Sequence, residues 1–220
     1  MITRFLALAV LLLSLSSCVE IIDDLTLKVD GSGTFRYTVN LSSSRTKVAS
    51  ILALDSLDGK RLPKQSEIDA MVDKFTRSLS EQKGISKVSI EANYVDYIFK
   101  ISCDFTSVVQ LQEALQTAIA EASDETLEGN YYYWLSWEDK TFKRSIPADV
   151  AKKFSETPMA DADLLQLGSY TTITRFYSAV AKNTNTKAVI SKSGTAVMIK
   201  SNAYELITNP AALNNNTCIK

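Results

Sequence analysis

Residues 25–41 read LTLKVDGSGTFRYTVNL, and this stretch carries the pattern that decides the fold class. Apolar residues alternate with polar ones on both sides of the sequence Asp30-Gly31-Ser32-Gly33. Alternation with a period of two is typical of a half-buried β-strand. A glycine-rich stretch between two such strands predicts the turn of a β-hairpin. We therefore expect a pair of antiparallel strands near the beginning of the folded chain.

The same hairpin pattern recurs further along the chain and is interrupted by helical spacing. Three more hairpins are predicted, within residues 88–105, around Glu138–Lys140 and around Lys192–Gly194. Apolar residues at helical spacing predict helices from Ser66 to about Gly84 and from Ser107 to about Ala122. This order predicts an α+β fold, an antiparallel sheet built from successive hairpins with helices packed on one face.

Length and composition favour one folded unit. The chain has 220 residues, of which 45% are hydrophobic and 22% are charged. These values are typical of a globular protein of one domain. We see no long linker, so residues 23–220 are predicted to form a single α+β domain, and residues 123–130 are the place where it would divide.

The first 17 residues are predicted to be a secretory signal peptide. Arg4 precedes nine apolar residues, and small residues follow them. A membrane-spanning helix needs roughly 20 apolar residues, so this segment is too short to cross a bilayer. The sequence Leu15-Ser16-Ser17-Cys18 that ends the segment resembles the lipobox of bacterial lipoproteins.

The lipobox resemblance implies a membrane anchor and a compartment. It implies cleavage before Cys18, acyl chains such as palmitate on the thiol and the new amino group, and a lipidated tether at residues 18–22. Two or more acyl chains give stable anchoring to a membrane. Val19 follows the cysteine where an aspartate would imply retention in the inner membrane, so the resemblance implies the outer membrane. The periplasmic face and the cell surface both remain open.

Composition and charge also limit the chemistry. The chain has no histidine, which removes imidazole as a base, an acid or a metal ligand. Its net charge of −1 provides no electrostatic argument for binding nucleic acid. We predict no cofactor, no metal site and no catalytic residues.

Two cysteines remain if Cys18 is acylated. Cys103 and Cys218 would lie in an oxidising compartment, where two thiols are able to pair. A disulfide between them would close a loop of more than 100 residues and stabilise the fold by roughly 4–5 kcal/mol. The alternative is a pair of buried free thiols, which are common in protein cores.

A dense aromatic cluster is the first candidate for a binding surface. Residues 131–134 read Tyr-Tyr-Tyr-Trp. On a β-strand, Tyr132 and Trp134 would share one face, and this face would form an aromatic platform for sugar rings or for a protein partner. The alternative is packing in the core or across strands.

A basic segment is the second candidate. Residues 164–204 contain five lysines and arginines and no acidic residue, and Lys182, Lys187 and Lys192 lie within them. Such a segment would attract anionic lipid or polysaccharide. The alternative is neutralisation by the acidic segment at residues 104–163 within one fold.

Putting these features together, the chain resembles the LppM-like bacterial lipoproteins. The resemblance rests on the lipobox, the Asp30-Gly31-Ser32-Gly33 hairpin, the helix that follows it, the sequence Gly84-Ile85-Ser86-Lys87-Val88 and the strand-rich last third. It implies an envelope protein with an α+β domain and no established enzymatic activity.

The expected function is that of a non-enzymatic envelope lipoprotein that binds a protein, a glycan or a lipid at the outer membrane. One alternative is an enzyme that acts on envelope polysaccharide or peptidoglycan through two facing carboxylates. Another is a structural subunit of an envelope complex.

Overall fold

The first predicted hairpin belongs to a fold that contains both strands and helices. The computed structural model describes residues 19–57, 60–124, 131–146 and 168–220. Its strands are β1 (Glu20–Leu27), β2 (Gly33–Asn40), β3 (Ser56–Leu57), β4 (Lys60–Arg61), β5 (Ile85–Asn93), β6 (Ile98–Phe105), β7 (Leu135–Glu138), β8 (Thr141–Arg144), β9 (Ser169–Phe176), β10 (Val180–Asn183), β11 (Val189–Ile190), β12 (Ala196–Asn202) and β13 (Asn215–Ile219). Its helices are α1 (Arg45–Leu52), α2 (Gln65–Glu81), α3 (Val108–Ala122) and α4 (Ala203–Thr208), with 3-10 turns at Ser42–Ser44 and Pro210–Leu213.

The strands form two principal sheets, which confirms the predicted α+β class. The large sheet has seven strands in the order β11-β12-β9-β1-β2-β6-β5, and the second sheet has four in the order β10-β13-β8-β7. Strands β3 and β4 form a separate small pair. All four predicted hairpins are present, as β1–β2, β5–β6, β7–β8 and β11–β12.

One pairing of the large sheet is parallel. Strand β1 pairs with β2 in the antiparallel sense on one side and with β9 in the parallel sense on the other. Strand β1 is therefore central in the sheet, although it is the first element of the fold. Glu20 already belongs to this strand, so the sheet begins inside the range 18–22 that the sequence analysis assigned to a tether.

The turn of the first hairpin has a backbone that requires glycine. Gly31 has a φ of +78°, and a Cβ atom there would lie only 2.6 Å from the Trp137 indole ring. The carboxylate of Asp30 accepts hydrogen bonds from the backbone N–H and the hydroxyl of Ser32, which closes the turn. Glycine at this position therefore permits both the backbone conformation of the turn and the close approach of Trp137 from the second sheet.

One face of the large sheet carries the core. Leu25 and Leu27 of β1 are fully buried there, next to Phe35 of β2. The core is closed by Leu111 of α3 and Phe142 of β8, both fully buried. The two long helices and the second sheet thus share one face of the large sheet.

Two consecutive aspartates of β1 point to opposite faces of the large sheet. Asp23 points inward and accepts a hydrogen bond of 2.8 Å from Nη1 of Arg144 on β8, and both side chains are buried. Asp24 points outward and accepts a bidentate contact from Arg175 on β9, at 3.0 Å from both Nε and Nη2. The first pair joins the two sheets, whereas the second lies at the surface of one sheet.

The buried pair has further polar neighbours. The hydroxyl of Tyr170 donates to Asp23 at 3.4 Å. Burial, together with the charge of Asp23, raises the pKa of Tyr37 to about 12. The Nε and Nη2 atoms of Arg144 have no hydrogen-bond partner among the described residues. The carboxylate of Asp23 is therefore the main compensation for the buried guanidinium.

We expect Arg144→Ala to destabilise the fold much more than Arg175→Ala. The first substitution leaves the Asp23 carboxylate buried and unpaired, at a cost of about 3–5 kcal/mol. The second removes a surface pair and costs less than about 1 kcal/mol. Urea denaturation of the two variants measures the difference in the free energy of unfolding. Equal losses would show that the buried pair has no special role.

Some sequence predictions fall outside the described residues. These are the signal peptide at residues 1–17, the acylated Cys18 and the part of the predicted dividing segment that covers residues 125–130.

Candidate binding surface

The two candidate disulfide cysteines are free thiols, and they lie on different sheets. Cys103 is on β6, faces the core and pairs across the sheet with Phe35. Along β13 the residues Thr217 and Ile219 are buried, so Cys218 between them points to the other side of the second sheet. The structure thus holds the two thiols unpaired, with Cys103 in the core and Cys218 on the less buried side of its strand.

We expect the two thiols to differ in their reaction with iodoacetamide at pH 8. Burial raises the pKa of the Cys103 thiol to about 12, so it stays protonated and shielded at this pH. Cys218 is half-exposed and should be alkylated first in the native protein. Peptide mass mapping without reductant, before and after unfolding, measures both sites. A cysteine pair that stays unlabelled after unfolding would mean that the disulfide forms.

The three candidate lysines lie on separate elements. Lys182 is on β10 of the second sheet, Lys187 precedes β11, and Lys192 is in the turn between β11 and β12. Lys187 forms an ion pair with Glu205, the first residue beyond the acid-free segment. The hydrogen bond from Lys187 lowers the pKa of Glu205. A hydrogen bond from Ser201 lowers this pKa further, by a smaller amount. Part of the basic segment is therefore neutralised locally, and Lys182 and Lys192 stay exposed at the surface.

The aromatic segment is bound to helix α3 by two glutamines. Residues 131–134 precede β7 and belong to no strand. The Gln112 side chain accepts hydrogen bonds from the backbone N–H groups of Trp134 (2.6 Å) and Leu135 (2.7 Å), and it donates to the Leu135 carbonyl (3.0 Å). One helical turn on, Gln116 bonds the N–H and the carbonyl of Tyr132 at 2.8 and 2.9 Å. The two amides supply these hydrogen bonds in place of a neighbouring strand, and the Trp134 carbonyl accepts one more from the backbone N–H of Ser145 at 2.9 Å.

The exposed side of the segment differs from the predicted one. Tyr131 and Tyr133 are 40% and 48% exposed. Tyr132 and Trp134 are half-buried, and Trp134 packs against the core. The pairing with α3, rather than a sheet, determines which side faces the solvent. We call Tyr131 and Tyr133 the tyrosine ledge.

The hydroxyls of the tyrosine ledge are also held by α3. The hydroxyl of Tyr133 donates to the Glu113 carboxylate at 2.6 Å, and the hydroxyl of Tyr131 lies 3.1 Å from that of Thr117. The hydrogen bond to Glu113 raises the pKa of Tyr133. Both hydroxyls are thus held against α3, and so is the backbone of the residue that follows each ring. Two exposed aromatic rings can stack on a ligand, and the carboxylate beside them can accept its hydrogen bonds.

We expect Gln112→Ala to lower the free energy of unfolding by about 2–4 kcal/mol. The substitution leaves the N–H groups of Trp134 and Leu135 without an acceptor, and a buried unsatisfied group costs about 1–3 kcal/mol. Glu121→Ala, at an exposed position of the same helix, is the control and should change little. Urea denaturation monitored by tryptophan fluorescence measures both. A loss no larger than that of the control would contradict the role of Gln112.

Two surface depressions lie near elements of the large sheet. The larger has a volume of about 560 Å³ and lies between α1 and the turn at residues 94–97. The smaller, about 280 Å³, lies on the outer face of the large sheet around Arg36, Lys100 and Glu91. Neither brings two carboxylates together across a cleft.

The described carboxyl groups with a shifted pKa all shift in the same direction. A hydrogen bond from a neighbouring side chain is the largest cause in each, and the pKa is lowered at Asp30, Glu67, Asp104 and Glu205. These groups are therefore ionised at neutral pH. Within the described ranges, no three Cys, Asp or Glu side chains cluster as metal ligands would, and no helix is long and apolar enough to span a membrane.

Comparison with known proteins finds one similar solved structure. No family model and no curated protein matches the chain. The folded domain of LppM from Mycobacterium tuberculosis, solved by NMR, is similar with a TM-score of 0.40 and 10% sequence identity, over 93% of this chain and 92% of that chain. The sequence resemblance described above is to the LppM-like lipoproteins as well.

Proposed function

We propose that this protein is a lipid-anchored binding protein of the outer membrane whose tyrosine ledge takes a glycan. The anchor is Cys18, supported by the lipobox-like sequence Leu15-Ser16-Ser17-Cys18 and by the apolar segment before it. The observation that carries the binding function is the solvent exposure of Tyr131 and Tyr133, whose hydroxyls contact side chains of α3.

The restraint of the ledge favours binding over a merely exposed aromatic pair. Ordering a flexible side chain on association costs about 0.5–1.5 kcal/mol. The backbone of this segment is already held by Gln112 and Gln116, and the Tyr133 ring is held by Glu113. Folding has therefore already ordered much of this segment, so less ordering free energy is lost when a ligand binds.

The chemistry of the ledge favours a sugar. One face of a pyranose ring presents C–H groups that pack on an aromatic ring, and the ring edge carries hydroxyl donors. Glu113 is half-buried beside Tyr133 and is an acceptor for such donors. The other two functions expected from the sequence, an enzyme with facing carboxylates and a structural subunit, are favoured by no specific observation of the described residues.

We expect the double variant Tyr131→Ala/Tyr133→Ala to bind a glycan at least about tenfold more weakly than the wild type, because truncating central aromatic contacts typically costs 2 kcal/mol or more. The probe is a tetramer of N-acetylglucosamine, titrated by calorimetry into the full acylated protein in detergent. Tyr177→Ala is the control, since Tyr177 is also 40% exposed but lies elsewhere. Failure of the wild type to bind, or equal binding by the double variant, would contradict the glycan function.

We expect the anchor to depend on Cys18 alone. Cells grown with a fatty-acid probe should label the wild type and leave Cys18→Ala unlabelled, and the variant should leave the membrane fraction. Fractionation and gel fluorescence measure both results. An unlabelled wild type, or membrane retention of the variant, would reject the lipid anchor.

A further inference from the structure

The distance between the proposed anchor and the sheet is very short. Strand β1 begins at Glu20, two residues after Cys18. A fully extended chain covers at most about 3.3–3.6 Å per residue, so the Cα atom of Glu20 lies within about 7 Å of that of Cys18. Acylation of Cys18, on which this inference rests, therefore holds one particular end of the large sheet at the membrane.

The register identifies that end. Glu20 pairs with Asn40, the last residue of β2, and Asn40 pairs with Ile98, the first residue of β6. The chain that leaves β2 after Asn40 and the turn between β5 and β6, which ends before Ile98, therefore lie at the same end of the sheet as Glu20. The N–H of Leu41 donates to the carbonyl of Tyr97 at 2.9 Å, which ties them together. We call residues 41–54 and 94–97 the anchor end.

The anchor end presents apolar side chains to the solvent. Val95 is 76% exposed, and Leu52 and Leu54 are exposed as well. None of the eight side chains of helix α1 is buried. Ala53, directly after α1, lines the same surface depression as Val95. A short surface helix and a turn thus form one patch with exposed apolar residues.

The anchor end carries two basic side chains, Arg45 and Lys47, and one acidic side chain, Asp96. Arg45 of α1 forms an ion pair of 3.6 Å with Asp96 in the turn. Lys47 is exposed on the same helix. A basic side chain can contact lipid headgroups while the exposed apolar side chains beside it contact the acyl boundary.

We propose that the anchor end rests on the bilayer, with α1 and the turn at residues 94–97 in the interfacial region. The Asp30-Gly31 turn at the opposite end of β1 then points away from the membrane. The eight residues of β1 separate the two ends by about 26 Å, at roughly 3.3 Å per residue. The acyl chains thus fix the orientation of the domain as well as its location.

Two exposed valines at opposite ends of the sheet provide a matched test. Val95 lies in the β5–β6 turn, and Val29, 68% exposed, lies in the β1–β2 turn. The full acylated protein is reconstituted as Val95→Trp and, separately, as Val29→Trp in phosphatidylcholine vesicles with brominated acyl chains. Bromine quenches indole emission only at short range. The wild-type signal, which comes from Trp134 and Trp137, is subtracted.

We expect the emission added by Val95→Trp to be quenched several-fold more than the emission added by Val29→Trp. Leu54→Trp repeats the test at a second position of the anchor end and should behave like Val95→Trp. Equal quenching of both ends, in protein that mass spectrometry shows to be acylated, would overturn the proposed orientation and leave the lipid anchor intact. Protein that carries no acyl chain and does not join the vesicles would overturn both.

Discussion

A buried ion pair between Asp23 and Arg144 holds the two sheets of this protein together. Asp23 lies on β1, the central strand of the large sheet, and Arg144 ends β8 in the second sheet. Burying either charge without the other costs several kcal/mol, so the second sheet is strongly favoured in the position that brings Arg144 over Asp23. The location of β7, and hence of the tyrosine ledge that precedes it, follows from this position.

Polar side chains also stabilise the backbone where the chain leaves the sheets. Gln112 is fully buried on α3, yet its amide satisfies backbone groups of Trp134 and Leu135. A buried backbone N–H without an acceptor is costly, and within the described residues no strand pairs with residues 131–134 to supply one. The ledge is therefore an exposed surface whose order depends on hydrogen bonds in the interior.

Local sequence patterns predicted much of the fold and less of the candidate site. The glycines around Ser32 mark a turn, since a positive φ at Gly31 excludes most other residues. The parallel pairing of β1 with β9 has no such local signal, because its strands are separated by more than 100 residues. The aromatic run at 131–134 was identified, but its exposed side was assigned by strand alternation, and the segment is not a strand.

The sequence by itself determined the hairpins, the long helices and the lipobox-like segment, because hydrophobic periodicity and turn residues act over a few neighbouring positions. Only the tertiary structure decided that Asp23 faces Arg144, that Cys103 and Cys218 lie unpaired on different sheets, and that Tyr131 and Tyr133 face the solvent. These outcomes depend on which distant segments pack together. Asp23 and Arg144, for example, are 121 positions apart in the chain.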